Sequence, residues 1–202
     1  MAEQPNTKGQ TEQLQAHLAE ALVLALDGLG GVVLAAFLTG ASQSDKYTSA
    51  FAKHKVVFDV VRPATFSLAI LSLHKLSEDA RGHPVSLLRS LSMAEQISLI
   101  NKDRRKALKK RLRELQPILR KVAILRHQLI AHRDCSISVS KVFEDAALSL
   151  KDLTEVAQAY WEILMELRGA AEGKAFDKTA WRSRLPRAVE SFMNDLIQAQ
   201  RK

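Results

Sequence analysis

Apolar residues recur every three or four positions through most of this chain, the pattern of helices that each bury one face. Over residues 11–38 that period predicts one helix, with a break expected at the glycines 28, 30 and 31, since glycine is a poor helix former. A turn is expected over 40–45, with Ser44 or Asp45 capping a second helix that runs to about Asp79. Val56, Val60, Phe66, Ile70 and Leu73 are apolar positions at helical spacing within it, and Pro63 predicts a kink or break. Arg81-Gly82-His83-Pro84 ends it. After a short segment, 85–91, Ser92 is expected to cap a long helix over about 93–132, kinked or restarted at Pro117.

Residues 134–140 alternate polar and apolar and read as a loop or short extended piece. A further helix over 142–168 is expected to stop at Gly169. A connector, 173–181, and a last helix, 186–200, complete the chain. With no sustained strand pattern, the fold class is all-α and the architecture a helical bundle. The domain plan is a flexible start over 1–10, a helical domain over 11–170, and a connector and helix over 171–202 that pack on the bundle.

Composition adds limits. The 202 residues are 47% hydrophobic, enough for a core without disulfides or a structural metal. A single cysteine, Cys135, rules out an intrachain disulfide and fits the reducing cytoplasm, the expected location. The apolar run 21–38 approaches the length of a membrane span. Asp27 sits in its middle, at a cost of roughly 2.5–3.5 kcal/mol on insertion scales, so a buried helix of a soluble protein is expected and no membrane partner.

The formal net charge of +8 suits a polyanion. Much of it falls in one segment: Lys102, Arg104, Arg105, Lys106, Lys109, Lys110, Arg111, Arg113, Arg120 and Lys121, opposed by Asp103 and Glu114 alone. Leu108, Leu112 and Leu115 let one face pack while the rest stays charged. Such a helix is either a phosphate-backbone track for RNA or DNA or a solvated face with no ligand. No aromatics interleave, so base stacking is not expected there.

Candidate chemistry concentrates in Leu125-Arg126-His127-Gln128-Leu129-Ile130-Ala131-His132-Arg133-Asp134. An always-charged guanidinium and an imidazole that titrates near neutrality suit phosphate chemistry. Six residues at 100° each leave Arg126 and His132 about 120° apart on a regular helix. They converge only at a distorted helix end or through a second copy of the chain. From spacing alone, His132 also fits the edge of a core, and Arg126 an ion pair with Asp134 or Glu155.

This stretch resembles the signature of HEPN domains: an arginine, four to six residues, then a histidine, with a polar residue after the arginine. Here five residues intervene and His127 fills the polar position. Ile-Ala-His-Arg-Asp at its end resembles the AbiU2-like branch, named for a phage abortive-infection system. Leu71-Ser72-Leu73-His74-Lys75-Leu76-Ser77-Glu78-Asp79 resembles the end of that branch's second helix, and Val85-Ser86-Leu87-Leu88 and Leu150-Lys151-Asp152-Leu153 its later ones. The likeness spans roughly residues 15–170.

The resemblance implies a HEPN-like bundle, with an extra C-terminal helix, that forms a homodimer. It also implies metal-independent RNA cleavage in phage defence or a toxin system, with an antitoxin or defence protein as a further partner. Arg126, His127 and His132 would be the catalytic set. His132 would act as general base or acid and Arg126 would stabilise phosphoryl charge. Lys102, Arg104, Arg105, Lys109, Lys110, Arg113 and Arg133 would bind RNA. The alternative is a non-catalytic HEPN module that binds RNA or a partner protein. HEPN toxins paired with nucleotidyltransferase antitoxins often carry a tyrosine where this chain has Asp134.

No cofactor motif and no metal site is expected: His127 and His132 are five apart, and carboxylates do not gather around them. Cys135 reads as a small filler, and His54 and His74 as ordinary helix residues. Trp161 reads as core or as part of a dimer surface. Trp181, near Arg182, Arg184 and Arg187, reads as an anchor for the last helix or a nucleic-acid contact.

Overall fold

The computed structural model describes residues 7–42, 44–78, 84–128 and 146–199. Eight α-helices are delimited among them, and no strand: α1 Thr7–Ala41, α2 Thr48–Lys53, α3 Lys55–Ser77, α4 Leu87–Gln96, α5 Lys102–Glu114, α6 Gln116–Arg126, α7 Leu150–Glu172 and α8 Trp181–Ala199. A 3-10 turn, Asp45–Tyr47, leads into α2.

The bundle is built around α1. Leu14, Leu18, Ala21, Ala25, Leu29, Val32 and Ala35 form its buried seam, packed against α3 and α7. The expected break at the glycines is absent: α1 is one helix of 35 residues that already includes residues 7–10. Gly31 acts as a notch instead. A Cβ there would lie 2.8 Å from the carbonyl oxygen of Thr65, so α1 and α3 meet backbone to backbone. The packing outweighs a propensity penalty of about 1 kcal/mol. By length and composition α1 and α3 could each cross a membrane. In the bundle α1 and α3 pack on each other and on the core, while Val23, Leu26, Val56, Val57, Val60 and Leu68 stay exposed.

The expected second helix divides at His54, not at Pro63. Pro63 removes one backbone donor, yet α3 continues because buried Phe58 precedes it and buried Ala69 and Ile70 follow it. The long helix expected from Ser92 is three helices. Ser86, not Ser92, caps α4, its hydroxyl accepting the Arg89 N–H at 3.3 Å. Asn101 caps α5 by accepting the Arg104 N–H at 2.8 Å. Pro117 stands in the first turn of α6, where its missing N–H costs no bond.

Gly169 does not end α7. Gly173 does, in the left-handed region at φ 62°, with the Lys174 N–H bonded back to the Gly169 carbonyl at 2.9 Å. At the other end Ser149 and Asp152 form a reciprocal capping box. Helix α8 starts at Trp181, five residues before Pro186.

The main core joins Leu73, Leu76, Leu87, Leu91, Leu125, Leu153, Tyr160 and Ile163 from four helices, with α1 packed against them. A smaller cluster of Leu38, Ala41, Tyr47, Phe58 and Met193 seats α8 against the far end of α1 and the start of α3.

Candidate functional site

Helix α6 buries Leu119, Val122 and Leu125 and ends at Arg126. The next two residues, 127 and 128, form a π-helical turn, a wider winding than the 100° step assumed from sequence. Arg126 is half-buried, and His127 is exposed. Among the described residues Arg126 has no salt-bridge partner, and Glu155 is not one. His132, Arg133, Asp134 and Cys135 lie outside the described residues, as do the expected loop 134–140 and Arg81 to His83.

The neighbour that sequence spacing missed is His74, in the last turn of α3. Helices α3 and α6 pack together, and the Arg126 guanidinium is near enough to act on the imidazole. His74 Nδ1 lies 3.2 Å from Glu78 Oε1, one turn on. Burial holds the His74 pKa below its ordinary value; Glu78 opposes this and the Arg126 charge adds to it. At neutral pH the imidazole is therefore uncharged. His74 keeps 18% of its side-chain exposure, so it is open to solvent on one side.

The core fixes this corner from behind. Tyr160 of α7 is 1% exposed and hydrogen-bonds the Ser77 side chain; burial pushes its phenol above the ordinary range. Ser77 Oγ donates to the His74 carbonyl at 2.6 Å. The last turn of α3 thus rests on a buried tyrosine.

The basic segment splits into two faces. On one, Arg104 forks onto Glu166 with Nε and Nη2 each 2.6 Å from an oxygen, and Arg111 Nη2 meets Glu162 at 2.8 Å. Both glutamates are on α7, one turn apart, and each takes a second cation from the C-terminal region. Lys178 reaches Glu166 at 2.8 Å and Arg182 reaches Glu162 at 3.3 Å. Arg104 and Lys178 hold the Glu166 carboxyl below the usual range. Burial would raise Glu162, but Arg111, Gln158 and Arg182 outweigh it and keep it low as well.

On the other face, Lys102, Arg105, Lys106, Lys109 and Arg113 line an open cleft of ≈ 390 Å³. Only Glu95, paired with Arg105, opposes them in that lining. Lys110 stands exposed beside Glu114 at 4.0 Å.

Trp181 packs on the main core as an anchor of α8, and Trp161 packs there from α7. Among the described residues no three His, Cys, Asp or Glu side chains are grouped as metal ligands would be.

Comparison with known proteins places the chain in a family. No curated protein and no solved structure matches the chain. The family model of AbiU2, a HEPN family, matches residues 13–192, from the second turn of α1 into α8. That span takes in the whole described bundle apart from its two ends, so the chain belongs to the AbiU2 family of HEPN proteins, modules related to abortive infection.

Proposed function

We propose that this protein is a metal-independent endoribonuclease acting in phage defence or as a toxin, as a cytoplasmic homodimer. The observation that carries the reading is Arg126: a half-buried guanidinium at a helix end, without an acidic partner among the described residues. A cation with no acidic partner among the described residues, in a partly desolvated corner, suits an anionic ligand, and phosphate fits its planar fork.

In this reading the ribose 2′-hydroxyl attacks the adjacent phosphorus, the P–O5′ bond breaks, and the products are a cyclic phosphate and a free 5′-hydroxyl. Arg126 steadies charge on the phosphoryl oxygens. His132 exchanges a proton, and His127 orients the phosphate. A second copy of the chain would bring a second Arg126 and His132 to the same cleft, and an antitoxin or defence partner would restrain it. The cleft face of α5, with Lys102, Arg105, Lys109 and Arg113, guides the RNA backbone electrostatically.

The test is purified protein incubated with total RNA in a chelator. Cleavage by the wild type and none by His132→Ala, with fold and oligomeric state preserved, is the expected result. Cleavage by His132→Ala at the wild-type rate removes His132 from the mechanism. The second reading, a non-catalytic module that binds RNA or a protein, is favoured by the α5 cleft, which needs no reactive group. Salt-sensitive RNA binding with no cleavage would select it.

A further inference from the structure

Helix α5 sorts its charges by face. At 100° per residue, Lys102, Lys106, Lys109 and Arg113 fall within about 60° of one another. Asp103, Lys110 and Glu114 share the adjoining stripe, about 90° round. Arg104 and Arg111 face the other way, to α7. The first row therefore borders acids on one side. On the other it meets α4, where Glu95 pairs with Arg105. Arg105 also reaches Ser92 Oγ at 3.5 Å and so links the two helices at the cleft. Lys102, Lys106 and Arg113 are exposed and Lys109 is half-buried. None of these four has a carboxylate partner among the described residues.

We infer that the cleft between α4 and α5 holds one nucleic-acid strand by its phosphates without reading the sugar, so that it takes single-stranded DNA as well as RNA. This deepens the assignment of the α5 face to an RNA backbone, and it stands apart from cleavage because it needs no chemical step.

Three features carry it. The first is dimension. The row is about 16 Å long, at 1.5 Å per residue, and it offers a cation at each helical turn. Successive phosphates of an extended strand can each meet one. The cleft, at ≈ 390 Å³, admits a single backbone and is too small for a duplex. The second is the border. A duplex presents two rows of phosphates, set across a minor groove about 6 Å wide. Its second row would lie over Asp103 and Glu114 on one side or Glu95 on the other.

The third is the lining. Ammonium groups, guanidinium groups and one paired carboxylate make it up. A 2′-hydroxyl is read by hydrogen bonds and bases by stacking rings or amide edges. Among the described residues that line the cleft there is no hydroxyl, amide or aromatic side chain. The row also holds no apolar residue, so a protein partner would find nothing to bury at the centre of an interface.

The experiment is fluorescence anisotropy with labelled strands of about 12 nucleotides: a 2′-deoxy single strand, the same sequence with 2′-O-methyl ribose, and the deoxy duplex. None of them can be cut through a 2′-hydroxyl, so binding is read separately from cleavage. The two single strands should bind within about 3-fold of each other, and the duplex at least about 10-fold more weakly. A featureless basic surface would do the reverse, because the duplex has the higher charge density. Lys109→Ala should weaken single-strand binding several-fold. Lys110→Ala, one residue on and outside the row, should not. Asp103→Asn combined with Glu114→Gln removes one border, so it should raise duplex affinity and leave single-strand affinity nearly unchanged.

Duplex binding as tight as that of the single strands overturns the inference, and so does an equal loss in Lys109→Ala and Lys110→Ala. A preference of more than about 10-fold for one sugar overturns it too. Poly-glutamate bound in place of every strand, and lost in Lys109→Ala, would give the cleft to an acidic protein instead. Each of these results leaves the ribonuclease reading to be decided by RNA cleavage. Single strands bound as expected, by a protein that cleaves no RNA, would keep this inference and remove that reading.

Discussion

Arg104 and Arg126 lie on consecutive helices of the same basic stretch, and their surroundings are opposite. Arg104 is forked onto Glu166, a carboxylate already shared with Lys178. Arg126 meets no acid among the described residues, and its charge reaches His74 instead. One arginine is part of the framework that joins α5, α7 and the start of α8. The other, among the described residues, has no carboxylate to neutralise it. The number of cations in a segment therefore says less about function than the placement of carboxylates elsewhere in the chain. By the same measure α5 has one face paired with α7 and another lined mainly by cations.

Exchanging the two arginines for alanine tests this contrast most strongly. Arg126→Ala should lower RNA cleavage by about 100-fold or more, as loss of a phosphate-stabilising group does, with thermal stability nearly unchanged. Arg104→Ala should leave cleavage intact at a temperature where the protein is folded. Equal effects on cleavage would erase the distinction.

The next test is salt. Replacing Lys102, Lys106 and Lys109 together by alanine should reduce the slope of log affinity against log salt by about 2, since each phosphate contact to a single strand contributes about 0.7. Arg104→Ala should leave that slope alone. A slope loss in Arg104→Ala would place Glu166 too weakly on its partner to matter.

A smaller effect is expected at the framework itself. Glu166→Gln should destabilise the fold by about 1 kcal/mol, a modest figure because Arg104 is half exposed and solvent screens the pair. Denaturant unfolding measures it, and cleavage should be unaffected.

The smallest is a shape in the pH profile of stability. Glu162 and Glu166 have pKa values depressed in the folded protein, so their contribution is complete above about pH 4.5, the unfolded value, and is lost as pH falls through the folded values. His74 is also depressed, from 6.5, so its share declines over a separate window that opens below pH 6.5. Glu166→Gln should flatten the first window only, and His74→Gln the second only.

Much of the fold was legible because helix period and composition are local properties. The all-α class, Pro117 at the head of a helix and the terminal helix can each be read from a few consecutive residues. Errors came where packing overrides local preference. Gly31 looks like a helix breaker until Thr65 of another helix is brought against it, and Pro63 looks like a kink until the α1–α3 contact holds both sides. Gly169 and Gly173 carry the same local signal; a bond from Lys174 decides between them. Ser86, Ser92 and Asn101 are all plausible caps, and only backbone geometry selects the first and third.

In the site, Arg126 and His127 stood out as residue types in a motif. His74 did not, because nothing in Leu73-His74-Lys75 indicates that α6 will dock beside it. The pairing of Arg104 with Glu166 was invisible for the same reason: it joins residues far apart in sequence.

That separation also sets an order in time. The chain is made from its N-terminus, and domains begin to organise during synthesis. Helices α1 to α6 emerge before Glu162 and Glu166 exist. Until α7 is made, Arg104 and Arg111 have none of their final partners, and the face of α5 that will meet α7 carries its charge unopposed. The nascent chain is thus more basic around α5 than the finished protein, and the step that adds α7 is also the one that neutralises Arg104 and Arg111.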